Sequence, residues 1–403
     1  MSSLTSTHPA EPYADAKTRL AVAIERARPE ILDLSHRIHG NPEPAFEEVR
    51  ASAWVAEVLA RHGFAVELPA GSLTTAVRAI RRGGRGGSSG GPRIGILAEY
   101  DALPGLGHGC GHNTMAASGV GAAIALASIA DELSGEIVFL GTPAEERGSG
   151  KGIMIDDGLF DGIDAALLYH PCDRNHVESH PLASEDVDVT FSGLQSHASS
   201  DPWMGKNALD AMISLFVSVG LWRQQLRPTA RVHGIIREGG TAANIIPDRT
   251  SAWFMIRSDT EAEYEVMRER FRELCDAAAL ATGTTVETSF TGLARTMRNN
   301  SVLAGRFRDN MAAYGIVDQG DDLNAGSTDM ANVSWMCPTI HPDLAIAPEG
   351  TPGHSIRFRD AAATPRADET TLLAATLIAQ TAYELFADPE LVAAAWKEFN
   401  EGH

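Results

Sequence analysis

Cysteine is scarce in this chain, with Cys110, Cys172, Cys275 and Cys337 scattered over 403 positions. They are too few and too far apart for a disulfide framework in a chain this long. Positive charge is short as well: 33 Lys and Arg stand against 53 Asp and Glu, a formal net charge of -20. Nucleic acid and anionic membrane surfaces both require clustered positive charge, so neither is an expected partner. Nowhere do about 18 apolar residues run together, which excludes a helical membrane span. The first residues, MSSLTSTHPAEP, have neither the basic nor the apolar part of a secretory signal. The cytoplasm is the expected location.

What is present describes an ordinary globular protein, 44% hydrophobic and 21% charged, and 403 residues exceed what one hydrophobic core serves. Residues 15–35 read as an amphipathic helix through Leu20, Ile24, Ile31 and Leu34, and residues 51–61 as a second. The run RRGGRGGSSGGP at 81–92 has no side chains able to fill a core and reads as a flexible, solvated loop. From residue 93 the order is strand, loop, helix (115–133), strand (136–140), TPAEE loop, helix (151–159), strand (164–169). Such alternation implies an α/β fold with a mainly parallel sheet flanked by helices, whose ligands gather beyond the carboxyl ends of the strands.

The pattern changes near residue 185. Strands at 187–193, 231–238, 251–257 and 284–290, with helices at 207–226 and 261–281, form a βαββαβ order. That order suits a ferredoxin-like sandwich of four antiparallel strands under two helices. The expected domains are therefore 1–185 with 295–403, and an inserted 186–294. The last segment must return to the first domain if His354 is to reach the site.

Three strand-like runs end in potential metal ligands. The first leads into EYDALPGLGHGCGHN, which carries Asp101, His108, Cys110 and His112, with glycines that permit a tight turn. The second leads into Glu145-Glu146 and the third into His170-Pro171. A lone Cys-x-His pair is a weak signal, since an isolated cysteine is usually a small buried hydrophobe and an isolated histidine often bonds backbone. Convergence of three strand ends outweighs that reading. A thiolate and imidazoles suit zinc, and the carboxylates also admit manganese or cobalt. Adjacent carboxylates can divide the work, so Glu146 is assigned to metal and Glu145 to the general base. Asp101 either orients a ligating histidine or caps the DALP turn. His170 and His354 are each, in isolation, equally readable as turn histidines. His197, Asn244, His233, Arg257 and Asp329 have no metal spacing, and structural partners are their ordinary explanation.

The motifs SHRIHGNPEPAFEE, EYDALPGLGHGCGHN, GTPAEE, LLYHP, SGLQSHAS, GGTAANIIPD, GSTDMANVSW and GTPGHS together resemble the metal-dependent amidohydrolases of the aminoacylase and carboxypeptidase family. The branch they are similar to contains p-aminobenzoyl-glutamate hydrolase and the β-alanyl-lysine type dipeptidases. The resemblance implies two divalent metal ions per subunit, zinc or manganese with cobalt also admitted, and an inserted domain that covers the site and forms a homodimer. It implies Cys110 as bridging ligand, His112, Glu146, His170 and His354 as the remaining ligands, and Glu145 as catalytic base. It also implies that His197, from the neighbouring subunit, and Asn244 reach a substrate carbonyl or carboxylate. His233 is placed with Asn244 among the candidate substrate-binding residues. Glu99 stands where many members of the wider family carry a metal-binding histidine, a feature of this branch, and His108 is another possible ligand.

The expected activity is hydrolysis of the amide bond in small N-acyl or N-aminoacyl amino acids. Two alternatives remain at the level of sequence. One is hydrolytic deamination of a small amine at the same site. The other is a catalytically silent, metal-stabilised binding subunit, against which the intact Glu145 weighs.

Overall fold

The computed structural model describes residues 13–85, 90–320 and 326–402. The chain divides into two compact units, Met1–Ser179 with Arg298–Asp322 and Val333–His403, and His180–Met297 with Leu323–Asn332. The second unit thus begins before residue 186, ends after 294, and takes in Asp329.

The first unit opens with α1 (Ala14–His39), whose Leu20, Ile24, Ile31, Leu34 and Ile38 are buried along one face, and α2 (Val49–Arg61). There follow β1 (Ala65–Glu67), β2 (Val77–Arg82), β3 (Arg93–Glu99), α3 (His112–Ala127), β4 (Glu136–Thr142), α4 (Gly150–Asp156), β5 (Ala165–Leu167) and β6 (His170–Cys172). The ends of the glycine-rich run at 81–92 adjoin β2 and β3, while residues 86–89 lie outside the described residues.

In the second unit, β7 (Ala183–Ser192), β8 (Ser196–His197), α5 (Ala208–Trp222), β9 (Arg231–Glu238), β10 (Ile245–Ile246), β11 (Arg249–Ser258), α6 (Glu261–Thr282) and β12 (Thr285–Ala294) follow in order. Its main sheet has the order β12-β7-β11-β9, with every pairing antiparallel. Alternation along β7 and β11 sends Val187, Val189, Phe191, Phe254 and Ile256 into one core with Met212 and Leu215 of α5 and Phe271 of α6. The chain then continues through α7 (Ser301–Ala313), the short α8 (Met330–Val333), β13 (Thr339–Ile340), β14 (Asp343–Ala345), α9 (Ile356–Ala361), α10 (Pro365–Ala387) and α11 (Pro389–Glu401).

The first unit's sheet has the order β1-β2-β4-β3-β5-β13. It is mixed: β4, β3, β5 and β13 run parallel, while β1 and β2 form an antiparallel edge. Register positions the site. Pairing of Arg93 with Glu136 through Glu99 with Thr142 makes β3 and β4 end in step, so the loops after them emerge at the same edge. Helix α3 is buried nearly all round and contacts α1, α10 and β3. Its alanines and glycines allow this, because a Cβ on Gly119 would lie 2.7 Å from the Leu97 carbonyl oxygen.

Two local expectations change. Helix α3 starts at His112, not near residue 115, so this histidine sits on a helical turn behind left-handed Gly111 and not in the loop. Strand β5 stops at Leu167, and His170 opens the separate strand β6, paired in parallel with β14 opposite Asp343. Among the described residues no helix is long and apolar enough to cross a membrane.

Candidate metal centre

The loop after β3 and the turn after β4 are tied together by Asp101, which is 1% exposed. One carboxylate oxygen lies 2.9 Å from His112 Nδ1, and the other accepts the Glu146 backbone N–H at 2.9 Å. Of its two expected roles, orientation of a histidine is the one the geometry displays. With His112 Nδ1 donating to Asp101, Nε2 faces the other way, 3.3 Å from Glu99 Oε2.

Around that point the donors converge. Cys110, His112 and His170 offer ligand atoms all within 4.8 Å of one another, as do Cys110, Glu146 and His354, and also Glu99, His112 and Glu145. The first two groups share Cys110, the pattern a bridging ligand produces. Cys110 Sγ is 3.4 Å from His170 Nε2, and Glu146 Oε2 is 3.4 Å from His354 Nε2. His112 Nε2, Glu99 Oε2 and Glu146 Oε1 are buried without a hydrogen-bond partner. Buried polar atoms left without a partner are costly unless a cation completes them, so these residues fit divalent metal.

Without a cation, several of these donors are held toward their protonated forms. Burial pushes the Cys110 thiol well up, and Glu146 adds to this; a bound cation would stabilise the thiolate. Burial also raises the Glu146 carboxyl, and it lowers His170 to about 3, helped by His341. For His112 burial works downward, but Asp101 and Cys110 outweigh it and hold the imidazole raised. Burial works upward on Glu99, but the Lys151 ammonium together with His112, His341 and His170 outweighs it and holds the carboxyl low.

Three residues here are not among those the sequence reading singled out. Lys151, fully buried, places Nζ 2.5 Å from Glu99 Oε1. His341 is 4% exposed, donates from Nδ1 to the Leu168 carbonyl at 3.1 Å, and stacks edge-on against His170 at 5.4 Å between ring centroids. Asp343 lies 3.7 Å from His170 Nδ1. The histidine-proline-aspartate string after β13 was the available clue. His108, by contrast, donates Nε2–H to the Ile38 carbonyl at 3.1 Å and belongs to none of the three donor groups.

In the second unit, β8 and β10 pair His197 with Ile245, and the Ala198 N–H donates to the Asn244 carbonyl, so the two segments that carry His197 and Asn244 are joined. His197 Nδ1 accepts the backbone N–H groups of Ser199 and Ser200 at 3.2 Å. This leaves Nε2–H as an exposed donor. His233 is in the other sheet, on edge strand β9 opposite Met255, and burial with Arg257 and Arg223 lowers its pKa. Asp329 is 2% exposed.

A partly buried cluster of cysteine, histidines and carboxylates beyond the ends of parallel strands, with a second carboxylate beside it, defines a metal-dependent hydrolase. The chain belongs to peptidase family M20/M25/M40, which it matches over residues 95–379. It is 37% identical to a mouse Xaa-Arg dipeptidase over 97% of this chain and 95% of that protein. It is 28% identical to a p-aminobenzoyl-glutamate hydrolase chain of Escherichia coli, covering 94% of each. Among solved structures, the YXEP protein of Bacillus subtilis, described as a dinuclear metal-binding peptidase, shares the fold with a TM-score of 0.67 at 20% identity, covering 90% of this chain and 99% of that one.

Proposed function

We propose that the protein hydrolyses the amide bond of small N-acyl or N-aminoacyl amino acids, dipeptides included, at a centre of two divalent metal ions. The carrying observation is the pair of donor groups that share Cys110, with Glu145 in a third group beside them. Cys110, His112 and His170 would hold one ion, and Cys110, Glu146 and His354 the other; zinc suits the thiolate, and manganese and cobalt suit the carboxylates. When bound, such ions supply Lewis acidity for the carbonyl and the attacking water.

The chain's own groups do the rest. Asp101 holds His112 in the tautomer that presents Nε2. Glu145 removes a proton from the attacking water and returns it to the leaving amine. The Nε2–H of His197, from the second subunit of a homodimer, donates to the developing oxyanion, while Asn244 and His233 bind the substrate. Support for dimerisation through the second unit comes from α5, where Ile213, Val217 and Leu221 are 49%, 57% and 62% exposed at four-residue spacing. Ile235 on edge strand β9 is 57% exposed as well.

The test is mass-spectrometric product analysis with zinc- or manganese-reconstituted protein, offered p-aminobenzoyl-glutamate, N-acyl amino acids and Xaa-Arg dipeptides. Paired acid and amine products are expected. Ammonia as the sole released amine, or no product with the metals bound, would overturn the reading.

A further inference from the structure

Among the described residues, four that are not glycine have a left-handed backbone: Phe46 (φ 66°), Ala144 (φ 60°), Ser149 (φ 56°) and His354 (φ 53°). Residues with a Cβ adopt this conformation only where their surroundings impose it. Ala144 immediately precedes Glu145 and Glu146, so its φ sets the direction in which both carboxylates leave β4.

One side chain grips two of these four residues. Glu48, which is fully buried, accepts the Ala144 N–H at 2.9 Å and the Phe46 N–H at 3.0 Å on the same oxygen. Its other oxygen accepts the Thr75 hydroxyl at 2.8 Å. Glu48 stands at the N-cap of α2, yet its side chain makes no capping bond to that helix. A carboxylate at a helix start ordinarily serves the helix's own N–H groups; this one is turned away toward another segment. The turn it grips is also closed from behind. The Gly150 N–H donates to the Ala144 carbonyl at 3.3 Å, and a Cβ on Gly150 would lie 1.8 Å from the Pro143 oxygen.

We propose that Glu48 is a positioning residue of the metal centre, whose carboxylate holds the left-handed turn at Ala144 and so aims Glu145 and Glu146 at their separate targets. The inference rests on the hydrolase reading only for the roles of those two glutamates. Glu48→Gln keeps the arrangement, since the amide oxygen still takes both N–H groups and the amide nitrogen donates to the Thr75 hydroxyl oxygen. Glu48→Ala removes it.

The experiment joins hydrogen exchange of the metal-free protein with kinetics of the reconstituted enzyme. In Glu48→Ala, amides of residues 144–149 should exchange roughly tenfold faster, as the loss of a buried hydrogen bond implies. kcat per metal-loaded subunit should fall by about tenfold to a hundredfold, with KM within about twofold. Glu48→Gln should stay near wild type in both. Thr75→Val, which removes one bond and keeps the shape, should show a smaller change of the same pattern and serves if Glu48→Ala does not fold. Unchanged exchange at 144–149, or faster exchange with an unchanged kcat, overturns the proposal. If the wild type cleaves no amide, the hydrolase reading falls, and exchange alone then decides whether Glu48 holds the turn.

Discussion

Glu145 and Glu146 are neighbours in sequence, but their carboxylates join different groups of donors, Glu145 with Glu99 and His112, Glu146 with Cys110 and His354. A group that binds metal and a group that moves a proton fail differently when altered. Glu145→Gln keeps shape and removes basicity, so kcat should drop by about 10²- to 10⁴-fold, while metal content measured by inductively coupled plasma mass spectrometry stays at the wild-type level. A near-normal rate would remove Glu145 from proton transfer. The donors Cys110, His112, Glu145, Glu146 and His170 were legible because each follows a strand-like run. Lys151 and His341 were not. Lysine is almost never buried unless paired, and a lysine at the start of a helix reads as a surface residue until Glu99 is seen beside it. His341 comes beside His170 through the pairing of β13 with β5 and of β14 with β6, contacts between segments remote in sequence.

At the scale of elements, α3 governs the centre, because its first turn carries His112 and its length is packed against the sheet. Sequence pattern located this helix but misplaced its start, for a physical reason: an element buried all round has no polar face, so periodicity does not mark where it begins. What marks it is small residues. At Gly119 an added Cβ would stand 2.7 Å from the Leu97 carbonyl oxygen and 3.0 Å from the Ala98 Cβ, and neither neighbour can swing aside. Gly119→Ala should therefore destabilise the first unit by about 1–3 kcal/mol, read as a lower thermal unfolding midpoint. Gly305→Ala in α7 is the control, since an added Cβ there meets nothing within 4 Å and the loss of glycine should leave the midpoint unchanged or raise it. Equal midpoints for both variants would show that the close approach at α3 does not limit stability.

For the whole molecule, the net charge of -20 could be read from composition, but the surface that α5 leaves uncovered could not. That helix is apolar on most sides, and only packing shows that Met212, Leu215 and Val219 are used in the core while Ile213, Val217 and Leu221 remain exposed. If a second copy covers this face and each subunit lends His197 to the other's centre, the defect in a His197→Ala chain and that in a Glu145→Gln chain are separable. In a heterodimer of the two, the centre with intact Glu145 receives an intact His197 from its partner, and the other centre has neither. Random reassociation of equal amounts makes half the dimers mixed, so about a quarter of wild-type activity should return from two inactive parents in a two-fold symmetric assembly. Donation within one chain predicts no recovery at all. Verified heterodimers that stay inactive would place His197 in its own subunit's site, and the apolar face of α5 would then need another explanation.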